Sequence, residues 1–222
     1  MQSLRGLWAI VRKDLALERR SQEAVSSMFI FGLLVILVFS FSLDLRAESA
    51  VQAAPGVLWV AFTFAGMLGL SRSFIRERDQ GCLDGLLLCP VDRSVIYFGK
   101  LVSNLVFMFV CEAIILPLFV ALFNLPFRPA LLAVVVLGTL GFAAVGTLFS
   151  ALTVHTRARE VMLPVLLFPV VMPVIIAAVR LTAGLLDGSP WAEIMQWMRL
   201  LVGFDVIFLA LCYMCFEYVV EE

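Results

Sequence analysis

Chemistry in this chain is confined to a few places, because charged residues make up only 15% of it and it holds a single histidine. The densest group is Arg76, Glu77, Arg78 and Asp79. It is followed by Gly81, by Leu83, Leu86 and Leu87 at i, i+3, i+4 spacing, and by Pro90, where a helical pattern must stop. A charged cluster beside a narrow leucine face suits a short amphipathic helix lying along a surface, and it supplies neither a nucleophile with its base nor a metal cage. Gly99-Lys100 comes nearest to a phosphate-binding loop and fails as one: Leu101 stands where a hydroxyl residue is needed, and Ser94 where the first glycine belongs. The chain is therefore not its own ATPase.

The remaining reactive side chains are scattered. Cys82 and Cys89 lie in the charged island and Cys111 in an apolar run, while Cys212 and Cys215 are followed by Phe216, where haem attachment would need histidine. We read all five cysteines as small apolar fillers and His155 as a solvated or interfacial imidazole, so that the chain itself holds no metal or cofactor. Ordinary enzyme function does not fit such a set. Glu112 is different, because it falls near the middle of the apolar run Leu101–Phe123. A carboxyl at that depth costs roughly 2.5–3.5 kcal/mol on the insertion scale, so it must face protein or water rather than lipid. Two readings are open: a proton or cation relay, which would suit a secondary transporter, or a neutral acid hydrogen-bonded to a neighbouring helix. The second is favoured, since we recognise no acidic counterpart at similar depth in another span.

The elements that carry these residues are membrane spans. With 63% apolar residues, against roughly 45–50% in a soluble domain, the chain is an integral membrane protein. Six runs are long enough, or nearly so, to cross a hydrocarbon core of roughly 30 Å: Val25–Leu43, Gly56–Leu70 extended to Ser73, Leu101–Phe123, Ala130–Val154, Val161–Val179 and Leu200–Val220. The net charge of −1 gives no reason to expect nucleic acid. Before the first span, Leu4, Leu7, Trp8, Val11 and Leu15 form one face of a helix within residues 1–24, with five basic residues over the rest, as in a helix lying in the membrane interface. Pro55 is expected to open the second span, and Asp92 to cap the helix that becomes the third. In the fourth span Thr139, Ala143, Thr147 and Ala151 make a small-residue face for close helix packing, within the subunit or at a dimer seam. Pro164, Pro169 and Pro173 argue against a regular fifth helix. The long outer segment 180–199, broken by Asp187-Gly188-Ser189-Pro190, reads as two short helices in a re-entrant hairpin.

Charge order, glycine, acidic residue, Leu-Leu, proline and then Gly99-Lys100 make residues 72–100 resemble the cytoplasmic loop of ABC type-2 exporter permeases, which forms the coupling helix seated on the ATPase. Residues Ala54 to Val60, opening the preceding span, narrow the resemblance to the CcmB family, the permeases of haem export in cytochrome c maturation. Asp84-Gly85 departs from the pattern by placing a glycine in the coupling helix, a loss of roughly 1 kcal/mol against alanine. The likeness covers nearly the whole chain in length and span layout. It implies an all-α permease of six transmembrane helices with an interface helix, a coupling helix (Arg76, Glu77, Arg78, Asp79, Gly81, Leu83, Leu86, Leu87, Pro90 and Lys100) and an outer re-entrant hairpin. It also implies partners: a CcmA-like ATPase that binds the ATP, CcmC-, CcmD- and CcmE-like proteins, a second permease copy, and haem as a handled ligand in a bacterial inner membrane. Other type-2 exporters, of lipid, glycan or drug, and a non-transporting scaffold are the alternatives.

Lysine and arginine orient the spans. Twelve lie in segments 1–24, 71–100 and 155–160, and four (Arg46, Arg128, Arg180 and Arg199) in the segments between, which puts both termini in the cytoplasm. With native cysteines replaced, a cysteine at Gly188 is expected to react with a membrane-impermeant maleimide added outside intact cells, and one at Arg93 to be protected. The opposite labelling would invert the topology.

Overall fold

A computed structural model of the chain describes residues 2–43, 48–74, 92–154, 156 and 158–219. These form seven helices: α1 (Gln2–Ser21), α2 (Glu23–Ser42), α3 (Glu48–Ser73), α4 (Arg93–Leu122), α5 (Ala130–Thr153), α6 (Arg159–Asp187) and α7 (Trp191–Val219). All but α1 are long and apolar enough to cross a membrane, so the protein is a multi-pass, all-α membrane protein.

The breaks between helices follow from backbone chemistry. Gln22 adopts a left-handed conformation between α1 and α2 (φ 53°), and Glu18 of α1 reaches across the bend. Its Oε1 accepts the backbone N–H groups of Ala24 at 2.8 Å and Val25 at 2.9 Å, so a carboxylate meets the exposed donors and positive end of the α2 dipole. Gly188, at φ 73°, ends α6 with its N–H bonded to the Gly184 carbonyl, a conformation that favours glycine. Residues 180–187 are thus the last turns of α6, and 191–199 the first turns of α7. The expected pair of separate short helices is replaced by two long helices meeting at a tight turn. At 29 residues, about 44 Å, α6 exceeds the hydrocarbon core by more than two turns and needs no extra element there.

Two proline expectations also change. Pro164, Pro169 and Pro173 all lie inside the continuous α6, and Pro55 lies inside α3, which starts earlier at Glu48. Each proline removes only one donor from its helix, and neighbouring helices hold the rest in place.

The centre of the bundle is α5. Of its apolar window 72% is buried, against 33% in α2 and 28% in α7, and it packs on α3, α4, α6 and α7. Glycines bring large side chains onto it: a Cβ at Gly138 would collide with the ring of Trp59, and one at Gly146 with Leu70. Trp59 Nε1 then donates to Thr182 Oγ1 of α6 at 3.0 Å, and Ser150 Oγ donates to the Leu70 carbonyl at 2.6 Å, so α3 is pinned to α5 and α6. Gly138→Val is expected to destabilise the bundle by about 1–3 kcal/mol through overpacking. Thr182→Val should cost about 1 kcal/mol. Thermal unfolding of the purified protein in detergent measures both.

Candidate functional site

Helix α1 is attached to the bundle by charge as well as by apolar contact. Its inward face is Ile10, Val11, Asp14 and Glu18, whereas Leu4 and Trp8 are exposed. The single apolar stripe expected from the sequence is thus divided, with Val11 turned into the protein against the polar pair Asp14 and Glu18. Opposite them, Gly99 admits the Ile10 side chain, where a Cβ would press on it at 2.9 Å. The next residue, Lys100, is 2% exposed. Its Nζ lies 3.1 Å from Asp14 Oδ2, donates to the Ser73 carbonyl at 3.0 Å, and stands over the Phe74 ring.

A buried ammonium needs such a cage, since an isolated charge in this setting would cost several kcal/mol. The result joins three elements at one point: α1 through Asp14, the end of α3 through Ser73 and Phe74, and the start of α4 through Lys100. Arg72 adds a solvent-exposed contact to Glu23 at the start of α2, 3.8 Å long. The resemblance placed Lys100 in the ATPase-coupling segment; the side chain is enclosed within its own subunit, where it braces three elements.

The second polar layer lies near the middle of the spans. Glu112 is 7% exposed, and Thr139 Oγ1 of α5 donates to its Oε1 at 2.6 Å. This supplies the hydrogen bond from a neighbouring helix. Its Oε2 is enclosed with no hydrogen-bond partner among the described residues, and Glu112 lines a cavity together with Trp59, Thr63, Met108, Thr139 and Val174, with room for about one water. One turn and more further along α5, Asn104 Nδ2 donates to Thr147 Oγ1 at 3.0 Å, and Tyr97 OH donates to the Ala144 carbonyl at 3.1 Å. The small-residue face Thr139, Ala143, Thr147 and Ala151 is buried along its whole length, with both threonines bonded to α4 of the same chain.

Asp205 was missed. It is 3% exposed, neither carboxyl oxygen has a partner, and a Cβ on Gly141 would strike its Oδ1. Gly141 is two residues from Thr139, so Glu112 and Asp205 occupy nearly the same depth on different sides of α5. This corrects the expectation that Glu112 has no acidic counterpart. The available signal was an aspartate inside the run Leu200–Val220, which carries the same insertion cost as Glu112. Arg76, Glu77, Arg78, Asp79, Gly81, Leu83, Leu86, Leu87 and Pro90 lie outside the described residues, as does His155. Their flanks, Phe74 and Asp92, both end at the Lys100 brace side of the bundle. No group of three or more metal-ligating side chains occurs among the described residues.

Comparison with known proteins agrees with this architecture over nearly the whole chain. The model of the CcmB protein family matches residues 5–221. Heme exporter protein B of Pseudomonas aeruginosa is 26% identical over 196 residues, covering 87% of each chain. The protein of that name from Rhodobacter capsulatus is 29% identical over 183 residues, 81% of this chain and 84% of its own. That of Paracoccus denitrificans is 28% identical over 170 residues, 76% of this chain and 78% of its own. A match from residue 5 to residue 221 spans α1, the charged island and all six spans, and on that ground the chain belongs to the CcmB family.

Proposed function

We propose that the chain is the permease subunit of an ABC complex for haem export or for release of a haem-loaded chaperone in cytochrome c maturation, with both termini in the cytoplasm. The observation that carries this reading is the family match along the full set of elements, together with relatives named for haem export. In this reading a CcmA-like ATPase binds and hydrolyses ATP, and CcmC-, CcmD- and CcmE-like proteins complete the assembly. Residues 72–100 receive the mechanical input. The brace supports that role, because Lys100 ties the two flanks of the charged island to each other and to α1, so a push on the island is carried into three helices together.

The cavity beside Glu112 bears on the cargo. Room for about one water is far from enough for a macrocycle, which favours a path between two permease copies or a purely mechanical release over a haem seat at Glu112.

Leu83, Leu86 and Leu87 are the apolar face offered to the ATPase. Burying one leucine is worth roughly 1.5–3 kcal/mol, so Leu86→Asp with Leu87→Asp removes several from the contact. The expected result is wild-type membrane abundance, loss of the ATPase from the purified complex, and loss of cytochrome c maturation. Retained ATPase and maturation would assign the docking surface elsewhere.

The brace makes a separate prediction. Lys100→Met leaves Asp14 buried with only Lys13, 3.3 Å away, for company, and should destabilise the chain by about 3–5 kcal/mol less whatever Lys13 recovers. Combining it with Asp14→Leu should restore most of the stability while maturation stays impaired. Thermal unfolding and cytochrome c yield read the two effects independently.

A further inference from the structure

Two carboxyl groups near the middle of the bundle are more deeply buried than packing alone requires, and they share a setting. Glu112 of α4 is held by one hydrogen bond from Thr139, its second oxygen is enclosed without a hydrogen-bond partner among the described residues, and the residue lines the small cavity. Asp205 of α7 rests against Gly141, a position that must lack a side chain to admit it. Both of its oxygens are enclosed and unpartnered among the described residues. Val174 of α6 lines the cavity and also packs at Gly141, so one side chain borders both the space beside Glu112 and the seat of Asp205.

The identity of a ligand follows from what surrounds these oxygens. A metal cation would need several further oxygen ligands, and the cavity adds only the hydroxyl groups of Thr63 and Thr139. An organic ammonium group has no room. A proton needs one oxygen, no cage, and at most a water to bring it. We propose that Glu112 and Asp205 form a proton-exchanging pair inside the membrane, one on each side of α5, with water in the Glu112 cavity as the route of entry. The step is simple: a hydronium ion gives its proton to a carboxylate oxygen, leaving water and a neutral acid, and the reverse returns it.

Most other titratable groups on the packed helices lie toward the helix ends, apart from Glu18 of α1, which stands near Cys111. Helix α5 has no titratable side chain, and α2 contributes only Glu23 at its end. Arg72 of α3 is at that same end, while Arg180 and Asp187 of α6 and Glu193 and Arg199 of α7 lie toward the opposite one. On α4, Lys100 is engaged by Asp14 of α1, Tyr97 is bonded to α5, and Cys111 lies next to Glu112 but directs its Sγ to the Val25 carbonyl at 3.6 Å. Cys212 and Cys215 of α7 lie about two and about three turns from Asp205. The proposal is independent of which cargo the complex handles.

Infrared difference spectroscopy of the full chain in lipid nanodiscs, between mildly alkaline and mildly acidic pH, tests this. Acidification is expected to raise the carbonyl stretch of protonated carboxyl groups in apolar surroundings. Glu112→Gln and Asp205→Asn should each remove a share of that band. Thr139→Val deletes only the hydrogen bond and should shift the Glu112 share to higher frequency, a change that a passive packing role for Thr139 would not give. A band constant across the pH range would mean fixed neutral acids and would overturn the proposal, as would a titrating band that survives both carboxyl substitutions. Should Glu112→Gln fail to fold, the wild-type titration, Asp205→Asn and Thr139→Val still decide the matter.

Discussion

In hydrocarbon a polar side chain has no water to turn to, and most of those inside this bundle are answered by another part of the protein. That demand decides which helices are neighbours. Lys100 fastens α4 to α1 and to the end of α3, Trp59 fastens α3 to α6, and Glu112 and Asn104 fasten α4 to α5. Apolar packing could be satisfied by several arrangements of six greasy helices, since lipid tails compete on equal terms for their surfaces. The hydrogen bonds and the glycine seats at Gly138, Gly141 and Gly146 cannot, because each fits one partner in one register.

Seen along α4, the same demand sets up two polar layers with different characters. Lys100 and Glu112 are separated by about 18 Å of helix. At the first, opposite charges meet and every group is engaged. At the second, two acids sit apart, one with a single bond and the other with none among the described residues. The first layer resists movement because breaking it strands a charge. The second is less committed, having fewer bonds to lose.

The spans were legible in the sequence because a bilayer rewards one property, sustained apolarity; α2 and α5 keep close to their expected limits, while α3, α4, α6 and α7 each run about two turns further at one end. Glu112 was legible for the same reason, as a costly exception within such a run. What the sequence hid was direction around each helix. Nothing in the sequence marked Asp14 and Glu18 as the inward face of α1, or Lys100 as the buried partner of Asp14. Asp205 could have been found by the criterion applied to Glu112, but its neighbour Gly141 could not, since the contact joins helices 64 positions apart in the chain. The turn at Gly188 was readable as a break, though not the length of the helices leading into it.

The ion pair between Asp14 and Lys100 also carries a clock. Its two halves are separated by α2 and α3, so α1 emerges long before its counter-charge exists, and domains form only as their segments become available. Until α4 is in place, Asp14 has Lys13 for a neighbour and must remain at the membrane surface, where Leu4 and Trp8 can hold the helix by its other side. The arrival of Lys100 is what draws α1 inward. Helix α1 is therefore seated only once α4 has been made.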